Sequence, residues 1–200
     1  MITIMIAEDQ RMLRGALGAL LDLEDDLQII GQAENGEEAM EIIRTLKPDV
    51  CIMDIEMPIY SGLDVVEGMK KEGMPCKTII LTTFARPGYF ERAMKAGVDG
   101  YLLKDSPIED LANSVRNVMK GKREISPDLM FGLWQEGNPL TERDKDMLAL
   151  AKEGYTTDEM AKKLYLSSGT VRNYMSEILN KLGVRNRIEA IAKAEEKGWI

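Results

Sequence analysis

Val50-Cys51-Ile52-Met53-Asp54 is an aliphatic run that ends in a carboxylate, and how it is read decides the fold. Two other short apolar runs also end in charge, residues 2–7 in Glu8-Asp9 and Tyr101-Leu102-Leu103 in Lys104. Continuous aliphatic runs without polar alternation suit parallel strands buried on both faces. An open parallel sheet binds its ligands outside the carboxyl ends of its strands. As three strands of one sheet, these runs bring three carboxylates and one ammonium to a single crevice, where packing supplies no reason for them. The pattern predicts a site.

Working outward from residue 54, strand patterns are expected at 2–7, 27–31, 49–53, 78–82 and 100–103. Amphipathic helix patterns alternate with them at 12–21, 36–46, 62–71, 88–96 and 108–119, with Pro48 and Pro107 at boundaries. Residues 1–120 therefore read as a (βα)5 unit, a doubly wound parallel sheet. Residues 121–138 break the pattern with Gly121, Ser126-Pro127 and Gly137-Asn138-Pro139, leaving room for a short helix at 127–134. Every later segment reads as helix: 141–152, 157–164, 168–182 and 186–197. Thr141 with Asp144 and Asn186 with Glu189 pair as N-caps, and Gly154 and Gly183 stand at C-caps. The fold class is an α/β sheet domain (1–120), a linker (121–138) and an all-α four-helix domain (139–200).

Composition narrows the function. The chain has 200 residues, 44% hydrophobic and 30% charged, and no apolar stretch approaches the ~18 residues that span a bilayer. With no secretory leader pattern and only Cys51 and Cys76, the expectation is a cytoplasmic protein with reduced thiols. Histidine is absent, which excludes histidine metal ligation, a histidine general base and an internal phosphohistidine. The net charge of −8 falls entirely within residues 1–120, whereas 162–187 hold Lys162, Lys163, Arg172, Lys181, Arg185 and Arg187 against Glu177 alone. This asymmetry suggests two jobs in one chain.

Glu8, Asp9 and Asp54 are suitable oxygen ligands for Mg²⁺, which takes one or two carboxylates, waters and a phosphate. A carboxylate that attacks a phosphoryl group needs both charges neutralised, which a cation and the Lys104 ammonium can do. Thr82, at a strand end, offers a hydroxyl to a phosphoryl oxygen. This constellation resembles the receiver domain of two-component response regulators over all of residues 1–120, through Glu8-Asp9, Asp54 with Met57-Pro58 and Gly62, Thr82, Ala96-Gly97 and Lys104. The resemblance implies that Asp54 accepts a phosphoryl group from a sensor kinase histidine. It also implies that Glu8, Asp9, Asp54 and the Glu56 carbonyl hold Mg²⁺ and that Lys104 pairs with the phosphate. Thr82 and Tyr101 would form a switch pair, the ring rotating inward as the hydroxyl moves to the phosphate. Glu8 in place of the commoner aspartate, and Asp105 after Lys104 in place of proline, are mild departures.

In the C-terminal region, 157–164, a break at 165–167 and 168–182 make a helix-turn-helix pattern. Val171, Met175, Ile178 and Leu182 form an inward stripe, leaving Arg172, Asn173 and Ser176 outward for a major groove. Lys181, Arg185 and Arg187 are placed for phosphates. The segments Leu140-Thr141-Glu142-Arg143, Leu166-Ser167-Ser168-Gly169-Thr170-Val171-Arg172-Asn173-Tyr174 and Lys181-Leu182-Gly183-Val184-Arg185-Asn186-Arg187 resemble the LuxR-type DNA-binding domain. With the receiver, this points to the NarL/FixJ class, and Thr170 joins the expected DNA contacts. Residues 82–90 and 196–199 are similar to members of that class that control membrane-lipid desaturation in Gram-positive bacteria. The class implies promoter DNA, a sensor histidine kinase, RNA polymerase and a homodimer formed on phosphorylation as partners, without membrane insertion. Pairing is expected through the face of 186–197 that holds Ile188, Ile191, Ala192 and Glu195.

Two alternatives compete. A haloacid-dehalogenase-like phosphatase also uses a strand-end aspartate, but it needs a second aspartate two residues later, where Glu56 stands, and a capping insertion that no loop here is long enough to supply. A single-domain phosphate carrier leaves the basic C-terminal third unexplained. The chain is not expected to be an enzyme beyond self-catalysed phosphotransfer and dephosphorylation.

Overall fold

The computed structural model describes residues 1–83, 86–127, 129 and 138–200. The expected helix at 127–134 lies largely outside the described residues. The chain divides into two compact units, one built on a sheet and one built of helices.

Along the first part of the chain β1 (Ile2–Ala7), α1 (Arg11–Leu21), β2 (Leu27–Ala33), α2 (Gly36–Leu46), β3 (Val50–Asp54), α3 (Gly62–Lys71), β4 (Lys77–Thr82), α4 (Pro87–Ala96), β5 (Gly100–Leu103) and α5 (Ile108–Met119) alternate as expected. With a sixth strand, β6 (Glu124–Ile125), all strand pairs are parallel, in the order β2-β1-β3-β4-β5-β6. This sixth strand has no counterpart in the sequence reading. Its two residues, within the stretch read as linker, pair with Gly100 and Tyr101. Two residues carry no periodicity; the strand shows itself in its pairing and in the backbone bonds from Glu124 N–H to the Asp99 carbonyl and from Ser126 N–H to the Tyr101 carbonyl.

β3 is buried at all five positions, as a central parallel strand must be. Ile4, Ile6, Val50, Ile52, Ile79, Leu81 and Leu102 pack one core with Leu111, Ala112, Val115 and Val118 of α5. Because strand side chains alternate, Met5, Cys51, Met53, Ile80 and Tyr101 point to the other face. The chain leaves β1 toward β2 and returns to lay β3 on the opposite side of β1. That reversal opens a crevice between the carboxyl ends of β1 and β3.

The second unit holds α6 (Glu142–Lys152), α7 (Thr157–Leu164), α8 (Ser168–Leu182) and α9 (Arg187–Glu196). Thr141 with Asp144 and Thr156 with Glu159 close capping boxes, and the Asn186 side chain accepts from the Glu189 N–H. Gly183, at φ 62, ends α8 in the left-handed region where glycine is unstrained. Val171, Ile178 and Leu182 are buried with Met147, Leu148, Met160, Ala161, Ala190, Ala194 and Trp199, while Met175 packs against them partly exposed.

Candidate functional site

The crevice at the β1/β3 reversal gathers the strand-end charges. Glu8 and Asp54 are buried, at 1% and 6% exposure, and Asp9 beside them is exposed. Lys104 reaches across from the end of β5, its Nζ 2.8 Å from Glu8 Oε2 and 2.9 Å from Asp54 Oδ2. One carboxylate oxygen from each of Glu8, Asp9 and Asp54 lies within 4.8 Å of the others. Three hard oxygen donors that close, with the side of Asp9 open to water, fit the partial shell Mg²⁺ accepts from protein. The longer glutamate arm at position 8 still reaches the cluster.

Electrostatics follow from crowding like charges in a buried place. Burial pushes the Glu8 carboxyl above its ordinary range, the Lys104 bond pulls against this, and the Asp54 charge adds to the rise. Burial opposes the charge on Lys104, but its bonds to Glu8 and Asp54 outweigh that and raise it above the ordinary lysine value. The cluster sets three carboxylates around one ammonium, a negative excess that an added cation would offset.

Local sequence explains how the parts are held. Gly62 starts α3 against the Asp54 carbonyl, where a Cβ would sit 2.1 Å from that oxygen, so only glycine lets the helix approach β3 so closely. Ser61 and Asp64 close a capping box on the same helix. Thr82 ends β4 buried, and its carbonyl accepts the Lys104 backbone N–H at 2.9 Å. Glu56 is exposed on the loop after β3. Tyr101 is fully buried, its ring edge-on to Phe90 with centroids 5.4 Å apart. The ring thus occupies the inward position in this structure. Sequence reasoning missed Arg14, whose Nη1 donates to the Glu8 carbonyl at 2.6 Å and steadies the acidic turn. No local pattern marks it, because the bond links a helix side chain to a strand-end backbone oxygen.

In the helical unit, Arg172, Asn173 and Ser176 are exposed on α8, as expected for a reading face. Thr170 lies at its start, with Oγ1 2.8 Å from the Ser167 hydroxyl. Arg185 is exposed in the turn after α8. The other two expected phosphate contacts are engaged within the unit. Lys181 is bonded to the Asp144 carboxylate, which is 1% exposed. Arg187 donates to the carbonyls of Ala151 and Tyr155 at 2.7 and 3.1 Å, closing the end of α6. Arg143, which the sequence reading left without a structural role, donates to the Leu164 carbonyl at the end of α7.

A strand-end acidic cluster with a lysine on one unit, and a helix-turn-helix on the other, define a class, and comparison with known proteins agrees. Residues 4–116 match the response regulator receiver domain family and residues 138–194 match the bacterial regulatory proteins of the luxR family. The chain belongs to the response regulators with a LuxR-type DNA-binding domain, and is a transcriptional regulator. It is 62% identical over 200 residues to the uncharacterized transcriptional regulatory protein YvfU of Bacillus subtilis strain 168, covering 100% of both chains. It is 59% identical over 200 residues to the transcriptional regulatory protein DesR of the same strain, again covering 100% of both. The crystal structure of response regulator ChrA, from a heme-sensing two-component system, is 31% identical with a TM-score of 0.60, covering 100% of this chain and 98% of that one. Among the described residues no helix is long and apolar enough to cross a membrane.

Proposed function

We propose that Asp54 is the phosphoryl acceptor of this regulator and that its modification raises the affinity of the helical unit for promoter DNA. The observation that carries this reading is Lys104 bridging Glu8 and Asp54 at 2.8 and 2.9 Å, with Asp9 close beside them. In the reaction, a carboxylate oxygen of Asp54 attacks phosphorus, the P–N bond to a sensor kinase histidine breaks, and the imidazole leaves with the electron pair. Mg²⁺, held by Glu8, Asp9, Asp54 and the Glu56 carbonyl, would supply charge neutralisation for the transferring group. Lys104 then exchanges its carboxylate partner for a phosphoryl oxygen, and the Thr82 hydroxyl donates to another. Thr82 and Tyr101 transmit the change to the faces around α4, β5 and α5.

The receiver comprises residues 1–120 together with β6, which the stretch read as linker adds to the edge of its sheet, and the DNA-binding domain comprises 139–200. Two phosphorylated copies would pair and set their helical units on half-sites about one helical turn apart. Arg172, Asn173 and Ser176, with Thr170 beside them, face base edges and Arg185 faces phosphate. Lys181 and Arg187 serve both the unit's own packing and the DNA backbone. A cytoplasmic protein recruiting RNA polymerase at a membrane-lipid desaturation promoter is the cellular role that residues 82–90 and 196–199 support.

The test is labelling by a small phosphodonor. Wild type should label with Mg²⁺ and fail after chelation, and Asp54→Asn should fail in both conditions with its fold intact. Labelling of Asp54→Asn at the wild-type rate would overturn the assignment. Genome-wide footprinting of the phosphorylated protein tests the regulon, with occupancy at a desaturase promoter as the expected result.

A further inference from the structure

Outside the acceptor site, the first unit places two thiols against each other. Cys51 is fully buried in β3, and Cys76 is partly exposed in the residue before β4. Their sulfurs are 3.1 Å apart, and the Cys76 thiol also donates to the Lys77 carbonyl at 3.3 Å. A disulfide requires about 2 Å, so closing it asks for a movement of about 1 Å. The established role of the protein uses neither sulfur.

We propose that Cys51 and Cys76 form a reversible intramolecular disulfide, a modification site for peroxide. The exposed partner reacts first: the Cys76 thiolate sulfur attacks hydrogen peroxide, the O–O bond breaks, and a sulfenic acid and hydroxide result. Burial raises the Cys51 thiol well above its ordinary range, which keeps it protonated until its neighbour is oxidised. Cys51 then gives its proton to the departing hydroxyl, its sulfur bonds to Cys76, and water leaves. Two thiols and one peroxide become one disulfide and two waters, and a dithiol reverses the step by exchange. The bridge would join the amino ends of β3 and β4, whereas Asp54 and Thr82 lie at the carboxyl ends of the same strands. Three residues of strand, about 10 Å, separate Cys51 from Asp54, so the bridge and the acceptor are chemically independent.

The experiment treats reduced full-length protein with hydrogen peroxide, denatures it with an alkylating reagent, and reads intact mass and peptide links. The expected product has lost two hydrogens, takes no alkyl group at either cysteine, yields a linked peptide pair containing Cys51 and Cys76, and reverts with dithiothreitol. Cys76→Ser should leave Cys51 alkylatable after the same treatment. Recovery of both thiols unreacted, oxidation of Cys76 to sulfinic or sulfonic acid without a link, or a link between two chains would each overturn the proposal.

Discussion

The proposed acceptor crevice and the proposed recognition face of α8 are both polar sites, but they are built in opposite ways. In the crevice, charges from β1, β3 and β5, separated by up to 96 positions in the chain, meet in a buried place and are already paired. On α8 the residues proposed to read DNA, Arg172, Asn173 and Ser176, lie close in sequence and are exposed. A phosphoryl group is small and its charge develops at one point, so the residues that receive it must be fixed beforehand and shielded from water. A DNA surface is large and hydrated, and phosphate contacts on it work through counterion release, which needs exposure. The comparison teaches that loss of one group should injure stability in the crevice and only binding on the helix face.

Lys104→Ala is the most damaging test of that contrast. It leaves the Glu8 and Asp54 carboxylates buried without their cation, which should cost about 3–5 kcal/mol of stability in chelator. Added Mg²⁺ should restore part of that loss, while phosphoryl labelling falls by roughly 10²–10³-fold. Denaturant unfolding with and without Mg²⁺ measures the first effect. Unchanged stability in chelator would mean the ion pair does not organise the crevice.

Asp144 blurs the comparison, because it is a crevice-like carboxylate inside the DNA-binding unit. Burial pushes its pKa up, but bonds from Lys181 and Thr141 outweigh this and leave it lowered. A carboxyl whose pKa is lower folded than unfolded adds stability above its unfolded value, about 3.9, and loses it as pH falls through the folded value. Asp144→Asn should therefore cost about 1–3 kcal/mol at neutral pH, shrinking below about pH 4. Unfolding of a chain in which Trp134 is replaced, so that buried Trp199 reports the helical unit, provides the measurement. A cost independent of pH would assign it to lost packing instead.

Arg172→Ala should leave stability unchanged and weaken the cognate site by roughly 1–3 kcal/mol, with little effect on random DNA. Equal losses on both DNAs would make Arg172 a phosphate contact. The smallest effect is expected at Arg185, where alanine should weaken both DNAs alike and flatten the salt slope by about one unit. Lys181→Ala should show a similar slope change together with a loss of stability, and that second loss separates Lys181 from Arg185.

The parts of this protein legible in its sequence are those written as local pattern. Aliphatic runs closed by Glu8, Asp54 and Lys104 announced buried strands and a site at their ends, and the spacing of Val171, Ile178 and Leu182 announced the face opposite Arg172. β6 escaped because two residues have no period. Lys181 and Arg187 looked like free cations because their partners, Asp144, Ala151 and Tyr155, lie 32 to 37 positions away. The same holds for Arg14 and for the inward placement of Tyr101. The sequence by itself determined the two-domain class, the alternation of strands and helices, and which carboxylates could serve as acceptor and ligands, since these follow from periodicity and residue chemistry. Only the tertiary structure decided which charges are spent on each other and which face solvent, because a Coulomb partner is chosen by distance in space and by burial, neither of which chain order records.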